Sequence, residues 1–450
     1  MKHFSEFMAD GTSMEVFILK GYAGTGKTSL VKSIIKSLPA LKFKSLLLAP
    51  TGRAAKVLGS YSDKRAFTIH SKIYKMSTNA FGGIFFSPAA NTQTDTLFIV
   101  DEASMIHGED REMKTGGMEA TDVLADLLEH VFSGENCKLL IIGDTAQLPP
   151  VGLNLSPALD ADFLQQAYHL NKISVTELTE VARQSSGSNI LAQATRIRQF
   201  ISDDSLAEEL KILAKDDVEN LDNETFLDNL NSSYGKQGFD ESVIITRSNK
   251  RANQYNIGIR ARVLYREDEI GAGDILMVVR NNYFWLPPES KAGFIANGDF
   301  VEVQRIKNFR EMHGHRFADA TLRMLDYPDD SPVECTLLLD VLALESANLG
   351  WTESKALYES VSQDYMEILD KRKRALAIRQ DKYLNALQVK FGYAITCHKA
   401  QGGQWNHVYL DHGWLGENFL TKEFYRWLYT GVTRAKQKLY LVNFAKALVE

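Results

Sequence analysis

Three cysteines in 450 residues, Cys137, Cys335 and Cys397, lie too far apart to suggest a disulfide framework or a metal site. No apolar run approaches the roughly 18 residues of a membrane span. The N-terminal residues lack the basic-then-apolar layout of a secretory signal. Low-complexity tracts are missing, and so is an excess of basic charge: the formal net charge is −6. That balance argues against indiscriminate coating of nucleic acid and leaves room for a local basic groove. Together these absences predict a reducing, cytoplasmic setting, nucleoid-associated in a bacterium, with no membrane partner. What remains is a globular composition, 44% apolar and 24% charged, in a chain long enough for two to four domains.

What is present is ordered around Gly21-Tyr22-Ala23-Gly24-Thr25-Gly26-Lys27-Thr28. This G-x-x-x-x-G-K-T spacing follows the apolar run 16–19 and precedes a helically spaced segment, 29–35, which is the strand–loop–helix context of a P-loop. Glycines there let backbone N–H groups close around phosphate oxygens, and the helix N-terminus adds its positive dipole. Gly21, Gly24, Thr25, Gly26, Lys27, Thr28 and Ser29 are therefore the expected nucleotide-binding residues. Lys27 is placed for the β- and γ-phosphates, and the Thr28 hydroxyl for Mg²⁺.

Four nearly pure apolar runs, 16–19, 46–49, 97–100 and 139–142, suit central strands of a parallel sheet covered on both faces. Each ends in a polar cluster: the P-loop, Pro50-Thr51-Gly52-Arg53, Asp101-Glu102, and Gly143-Asp144-Thr145-Ala146-Gln147. Ligands of such sheets lie outside the carboxyl ends of the strands, so the four clusters describe one site. Asp101 is expected to hold the Mg²⁺ shell, and Glu102 to polarise the water that attacks the γ-phosphate. Gln147, followed by Leu148-Pro149-Pro150, suits a motor that must sense the γ-phosphate and its loss.

Between residues 71 and 96 the pattern breaks into a small hairpin, inserted in the first lobe and carrying Tyr74, Phe85 and Phe86. A helix is expected at 121–132, and the acidic stretch 200–240 reads as largely helical. A second set of buried-strand runs, 243–246, 393–396, 408–410 and 439–442, predicts another parallel sheet. A long insertion separates its first two members. The insertion alternates like strands from 281 to 349, with a turn at Ala296-Asn297-Gly298, then reads as one long helix over 352–387. The basic run Lys371-Arg372-Lys373-Arg374 is either a solvated helix face or a contact to a nucleic-acid backbone.

The set G-x-A-G-T-G-K-T, A-P-T-G-R-A-A, T-I-H, V-D-E-A-S-M and G-D-x-x-Q-L-P-P-V resembles superfamily 1B helicases, the 5′→3′ branch of RecD and Dda type. The resemblance continues through Leu178-Thr179-Glu180-Val181-Ala182-Arg183-Gln184, Tyr393-Ala394-Ile395-Thr396-Cys397-His398-Lys399-Ala400-Gln401-Gly402 and Tyr429-Thr430-Gly431-Val432-Thr433-Arg434-Ala435. It implies Arg183 and Arg434 as cations at the γ-phosphate, supplied from the opposite lobe so that closure depends on ATP. It implies Thr396, His398 and Lys399 on single-stranded DNA, with Gln401 and Gly402 toward the nucleotide. On the first lobe it implies Pro50, Thr51, Arg53, Thr68 and His70 along the same path. Contacts of that kind fit a motor that prefers no sequence. The 71–96 insertion takes the place of the family's strand-separating pin, where Tyr74, Phe85 and Phe86 either stack on the last base pair or pack onto the lobe. Asn297-Gly298-Asp299-Phe300-Val301 resembles the start of its SH3-like 2B insertion. One departure stands: no glutamine precedes Gln93, whereas the family reads adenine through a glutamine upstream of the P-loop; either the N-terminus is truncated or base recognition is lost, so phosphate recognition is implied and adenine recognition is not.

The expected fold is α/β: two RecA-like parallel-sheet P-loop lobes, the first with a small β-hairpin insertion, the second with an SH3-like and helical one. The expected boundaries are 1–170 for the first lobe, 171–280 with 390–450 for the second, and 281–389 for the insertion. The expected function is a monomeric, ATP- and Mg²⁺-dependent DNA helicase acting on single strands and single-strand/duplex junctions. A DNA-stimulated translocase that remodels protein–DNA complexes without unwinding shares every motif but the hairpin. A nucleotide-switched binding module would need no arginines on a second lobe.

Overall fold

The computed structural model describes residues 2–12, 14–78, 84–108, 122–180, 188–203, 210–238, 241–287, 290, 292–327, 330–414 and 419–450. Its strands are β1 (Glu15–Gly21), β2 (Lys44–Ala49), β3 (Ala66–Thr68), β4 (Tyr74–Thr78), β5 (Ile84–Pro88), β6 (Thr96–Val100), β7 (Lys138–Gly143) and β8 (Lys172–Leu178) in the N-terminal part. Then follow β9 (Val218–Leu221), β10 (Ser242–Thr246), β11 (Ile275–Val278), β12 (Phe300–Met312), β13 (His315–Met324), β14 (Val333–Leu338), β15 (Leu387–Phe391), β16 (Ala394–Thr396), β17 (Trp405–Asp411) and β18 (Ala435–Val442).

The first six-stranded sheet runs β3-β2-β6-β7-β1-β8, every pairing parallel. Its apolar runs are continuous because both faces are covered. Val16, Ile18, Leu46, Leu48, Phe98, Val100, Leu139 and Ile141 enter one core with the helix Val123–Phe132. Phe17, Leu19, Leu47, Leu97, Ile99, Leu140 and Ile142 enter the other, with Phe4 and Phe7 of the helix Lys2–Ala9 and Val31, Ile34 and Ile35 of Lys27–Ser37. Alternation along each strand thus divides one hydrophobic run between two cores. The second sheet, β16-β10-β17-β18-β9, is also parallel. Two RecA-like parallel-sheet lobes are the architecture. Between the helix Asn249–Arg262 and β16 the second lobe is interrupted by a closed barrel of β11 to β15, whose long β12–β13 hairpin carries two register shifts.

Several boundaries move. Strand β8 pairs with β1, so the first sheet runs past residue 170. As an edge strand half open to solvent it shows no buried apolar run. Strand β9, inside the acidic stretch read as helical, buries only Val218 and Leu221 and closes the edge of the second sheet. The barrel begins at Ile275 and ends at Phe391, outside the expected 281–389 on both sides. The single long helix is two, Trp351–Gln363 and Lys371–Arg379. Asp370 starts the second by accepting the N–H groups of Arg372 and Lys373, so the basic run occupies a capped first turn.

One buried ion cluster ties the second lobe to the barrel. Asp274, fully buried, takes a two-point hydrogen bond from Arg260, from Nε at 3.0 Å and from Nη2 at 3.0 Å. It also accepts from Arg266 Nη1 at 2.5 Å, the Tyr393 hydroxyl at 3.0 Å and the Gly271 N–H at 2.8 Å. Breaking a buried pair from one side leaves an uncompensated charge and costs about 3–5 kcal/mol. We therefore expect Asp274→Ala to lower the midpoint of thermal unfolding markedly and Asp274→Asn to lower it less, read by circular dichroism.

Candidate nucleotide and nucleic-acid site

The phosphate loop joins β1 to the helix Lys27–Ser37. Gly24 and Gly26 stand at φ +79° and +84°, a left-handed backbone that glycine tolerates. A Cβ at Gly21 would lie 2.9 Å from Thr25 Oγ1, so the loop closes tightly on itself. Lys27 Nζ donates to the carbonyls of Gly21 at 2.7 Å and Tyr22 at 2.9 Å, and Thr25 Oγ1 donates to Tyr22 O at 2.8 Å. Thr28 and Ser29 are exposed at the start of the helix.

Asp101 and Glu102 follow β6. Asp101 receives the Tyr61 hydroxyl at 2.6 Å on one oxygen and the Glu102 N–H at 2.9 Å on the other. Glu102 holds φ +52°, a strained conformation for a residue with a side chain. Burial raises its carboxyl above the ordinary range. Asp101 and Asp144 push the same way, while Arg434 and Lys27 pull it back. Residues of both lobes therefore act on one carboxyl.

Gln147 is 5% exposed, and its Oε1 is buried with no hydrogen-bond partner among the described residues. The Gln401 amide donates to Leu148 O at 2.8 Å, so it meets the turn after β7 rather than the phosphate loop. Gly402, at φ +74°, packs against Ala54, where a Cβ would meet another Cβ at 2.9 Å. Both therefore lie at the lobe junction, Gln401 beside the turn that bears Gln147. Arg434 is 4% exposed, and its guanidinium donates to Thr430 O, Gly403 O and Thr433 Oγ1. Arg183 lies outside the described residues.

The residues assigned to DNA divide into two groups. Thr68 and His70 line a cleft of about 640 Å³ between the first lobe and the barrel, along with Lys56, Arg65, Tyr283 and Phe294. Tyr283 and Phe294 stack at 4.8 Å. Lys399 donates to Asn297 Oδ1 at 2.6 Å, beside this cleft, and burial pushes its ammonium down to about 8. Thr396 and His398 are half-buried beside it, and burial lowers the His398 imidazole. Pro50 is half-buried, and Thr51 caps the helix Gly52–Ser62 by accepting the Ala54 N–H.

Arg53 departs from expectation. Its guanidinium lies 4.9 Å from the Phe300 ring and 4.3 Å from the Trp405 ring, packed inside the lobe junction instead of along the path. Tyr74 takes the second of its two expected roles. It is 7% exposed and its hydroxyl donates to Asp126 at 2.5 Å, so it packs onto the lobe at the root of the β4–β5 hairpin, on the edge of the same cleft. Phe85 and Phe86 pair through their backbones with Ser77 and Met76, and their side chains lie outside the description.

The sequence reading missed three features. Tyr61 carries no motif signal. The cleft aromatics belong to the barrel, where they look like core. Lys56, whose Nζ reaches buried Asp299 at 2.9 Å and Asp326 at 3.2 Å, sits one helical turn beyond Arg53 and reads as a surface lysine.

A phosphate loop after β1, an acidic pair at the end of β6 in the same sheet and a second parallel-sheet lobe presenting an arginine define a two-lobe P-loop NTPase. Residues 5–218 match the family model of an AAA domain, and residues 391–442 that of the UvrD-like helicase C-terminal domain. The chain is 32% identical over 177 residues to the ATP-dependent RecD2 DNA helicase of Deinococcus radiodurans, covering 39% of this chain and 21% of that protein. It is 30% identical over 183 residues to the ATP-dependent DNA helicase dda of Enterobacteria phage T4, covering 40% of this chain and 37% of that protein. A crystal structure of the Pif1 helicase from Bacteroides with ADP-AlF3 and ssDNA aligns over 100% of this chain and 93% of that one, at TM-score 0.49 and 16% identity. In both lobes the chain is similar to the superfamily 1B helicases of RecD/Dda type. Among the described residues, no helix is long and apolar enough to cross a membrane.

The junction has no spare room. A Cβ at Gly52 would stand 2.1 Å from that of Ala296 and 3.2 Å from Asp299 Oδ1. Gly52→Ala is expected to separate the first lobe from the barrel, costing about 1–3 kcal/mol as overpacking does. A lowered thermal midpoint and faster proteolysis at the 290–300 loop would register it.

Proposed function

We propose that this protein is an ATP-dependent DNA helicase that hydrolyses ATP between its lobes, moves 5′→3′ on single-stranded DNA and unwinds duplex ahead of it. What supports this reading is that Lys27 and Asp101 of the first lobe and Arg434 of the second all act electrostatically on the half-buried Glu102 carboxyl, which follows β6 beside the phosphate loop's sheet end. Thr28 and Asp101 offer hard oxygen donors that suit Mg²⁺, with nucleotide phosphates completing its shell. Bound there, the ion would neutralise phosphate charge.

Glu102 is the general base. It takes the proton of the attacking water, and burial beside Asp101 raises its affinity for that proton. Lys27 leaves the Gly21 and Tyr22 carbonyls for the β- and γ-phosphates, and Arg434 and Arg183 stabilise the charge that develops on the transferred group. Gln147 senses the γ-phosphate with its unpaired amide oxygen. Single-stranded DNA runs past Thr68 and His70 on one lobe and Thr396, His398 and Lys399 on the other, with barrel aromatics available for base stacking. In this reading the hairpin rooted by Tyr74 serves as the strand-separating wedge.

Lys27→Ala is expected to abolish hydrolysis. Glu102→Gln should retain nucleotide and DNA binding while losing about 10²-fold or more in turnover. An ATPase assay with and without single-stranded DNA, beside filter binding, checks both, and equal turnover by Glu102→Gln removes Glu102 as the base. Polarity is read by unwinding of forks with one overhang: a substrate with only a 5′ overhang should open, and activity restricted to 3′ overhangs overturns the direction.

Lys399 gives a pH signature. Its ammonium is cationic below about 8 and neutral above, so a phosphate contact present at pH 7 is lost as pH rises to 9. Single-strand affinity by fluorescence anisotropy should fall over that interval, and Lys399→Arg should lose much of this step. Lys390, also lowered to about 8, is common to both proteins and does not account for the difference.

A further inference from the structure

Tyr429 lies on the helix Lys422–Val432, five residues before Arg434, and is 1% exposed. Its hydroxyl joins three segments. It accepts the N–H of Ala23 at 2.8 Å and donates to Asp144 Oδ2 at 2.7 Å. Ala23 is the third residue of the phosphate loop. The other oxygen of Asp144 accepts the Ala146 N–H at 3.0 Å and so shapes the turn that bears Gln147. Thr430 repeats the bridge one residue on, where its Oγ1 accepts the Leu148 N–H at 2.9 Å. Two consecutive residues of one second-lobe helix thus fasten both the phosphate loop and the Gln147 turn of the first lobe.

The bond to Ala23 is the unusual one. A buried phenol needs one partner, and Asp144 already supplies a charged acceptor for the Tyr429 proton. Burial and Asp144 hold that proton on the hydroxyl well above the ordinary tyrosine range, so it remains a donor to Asp144 throughout working pH. The hydroxyl's lone pair takes an amide from the very loop whose amides cradle phosphate. A single N–H serves one acceptor well, and a phosphate oxygen, being charged, is the stronger of the two.

We infer that the Tyr429 hydroxyl is a positioning group that competes with nucleotide phosphate for the Ala23 amide, so that loading the loop releases one of the bonds tying the arginine-bearing helix to it. The inference rests on the reading that nucleotide is bound and hydrolysed between the lobes. Tyr429 touches no reacting atom. It sets how firmly the Arg434 helix is held to the loop, and it makes that hold depend on what the loop contains. The bond to Asp144 survives loading, so the helix shifts its grip without letting go of the Gln147 turn.

The test is Tyr429→Phe in the full chain, which keeps the ring and deletes both hydrogen bonds. With the competitor gone, the fluorescent N-methylanthraniloyl-ADP should bind tighter than to the parent, by about two- to tenfold for one net hydrogen bond. Stimulation of turnover by single-stranded DNA should fall at the same time, because the helix no longer reports loading. Tyr429→Met, which fills the space without a hydroxyl, gives the same sign should the phenylalanine variant unfold. Binding that is unchanged or weaker in a folded variant overturns the inference. Absence of DNA-stimulated hydrolysis in the parent overturns the helicase reading instead, and the two failures are separable because one is read in affinity and the other in turnover.

Discussion

A carboxylate drawn partly out of water must be given charge or hydrogen bonds in exchange, and half-buried Glu102 is such a carboxylate. Burial raises its proton affinity, Asp101 and Asp144 raise it further, and the opposing charge comes from Lys27 on one lobe and Arg434 on the other. Neither lobe alone supplies both cations. The two cations that oppose the shift thus come from different sheets, and one side chain feels both. The left-handed backbone at Glu102 and the Tyr61 hydroxyl on Asp101 are the local devices that fix the acidic pair in that field.

Around this point the junction is built from close backbone approaches rather than long ion pairs. Gly52 lies against Ala296, Gly402 against Ala54, and Gly403 against Trp405 and Arg53. The buried Lys56–Asp299 pair is the main charged strut between the helix Gly52–Ser62 and the barrel. Burial raises the Asp299 carboxyl and Lys56 lowers it again, as expected of a charge that is desolvated and then paired. The barrel is thus packed onto the helix that leads from β2 and forms one wall of the cleft holding Thr68 and His70.

The central strands, the phosphate loop and the acidic pair were legible in the sequence because strands covered on both faces leave unbroken apolar runs, and because the phosphate chemistry needs glycines at fixed spacing. The edge strands β8 and β9 were not legible, since an edge exposes a face and Val218 and Leu221 alone carry no periodic signal. Asp370 broke the expected long helix by capping a new one within it. At the site, residue identity was readable and partnership was not. Arg53 and Tyr74 have the right types for nucleic acid, yet the cage of Phe300 and Trp405 claims one and Asp126 claims the other. Tyr61 and Lys56 matter through neighbours far away in sequence, and no spacing rule connects them.

The cage around Arg53 has a mechanical meaning. Phe300 belongs to the barrel, Trp405 to the second lobe, and the guanidinium between them to the first. Burial lowers the proton affinity of that guanidinium, with only Asp326, Asp299 and Glu241 acting against it. The two rings meet edge to face, 74° apart with centroids 6.5 Å apart, so the guanidinium fills the corner they form. One side chain thus touches three bodies at once, so the first lobe, the barrel and the second lobe share a single contact point, and none of the three can shift there without disturbing the other two.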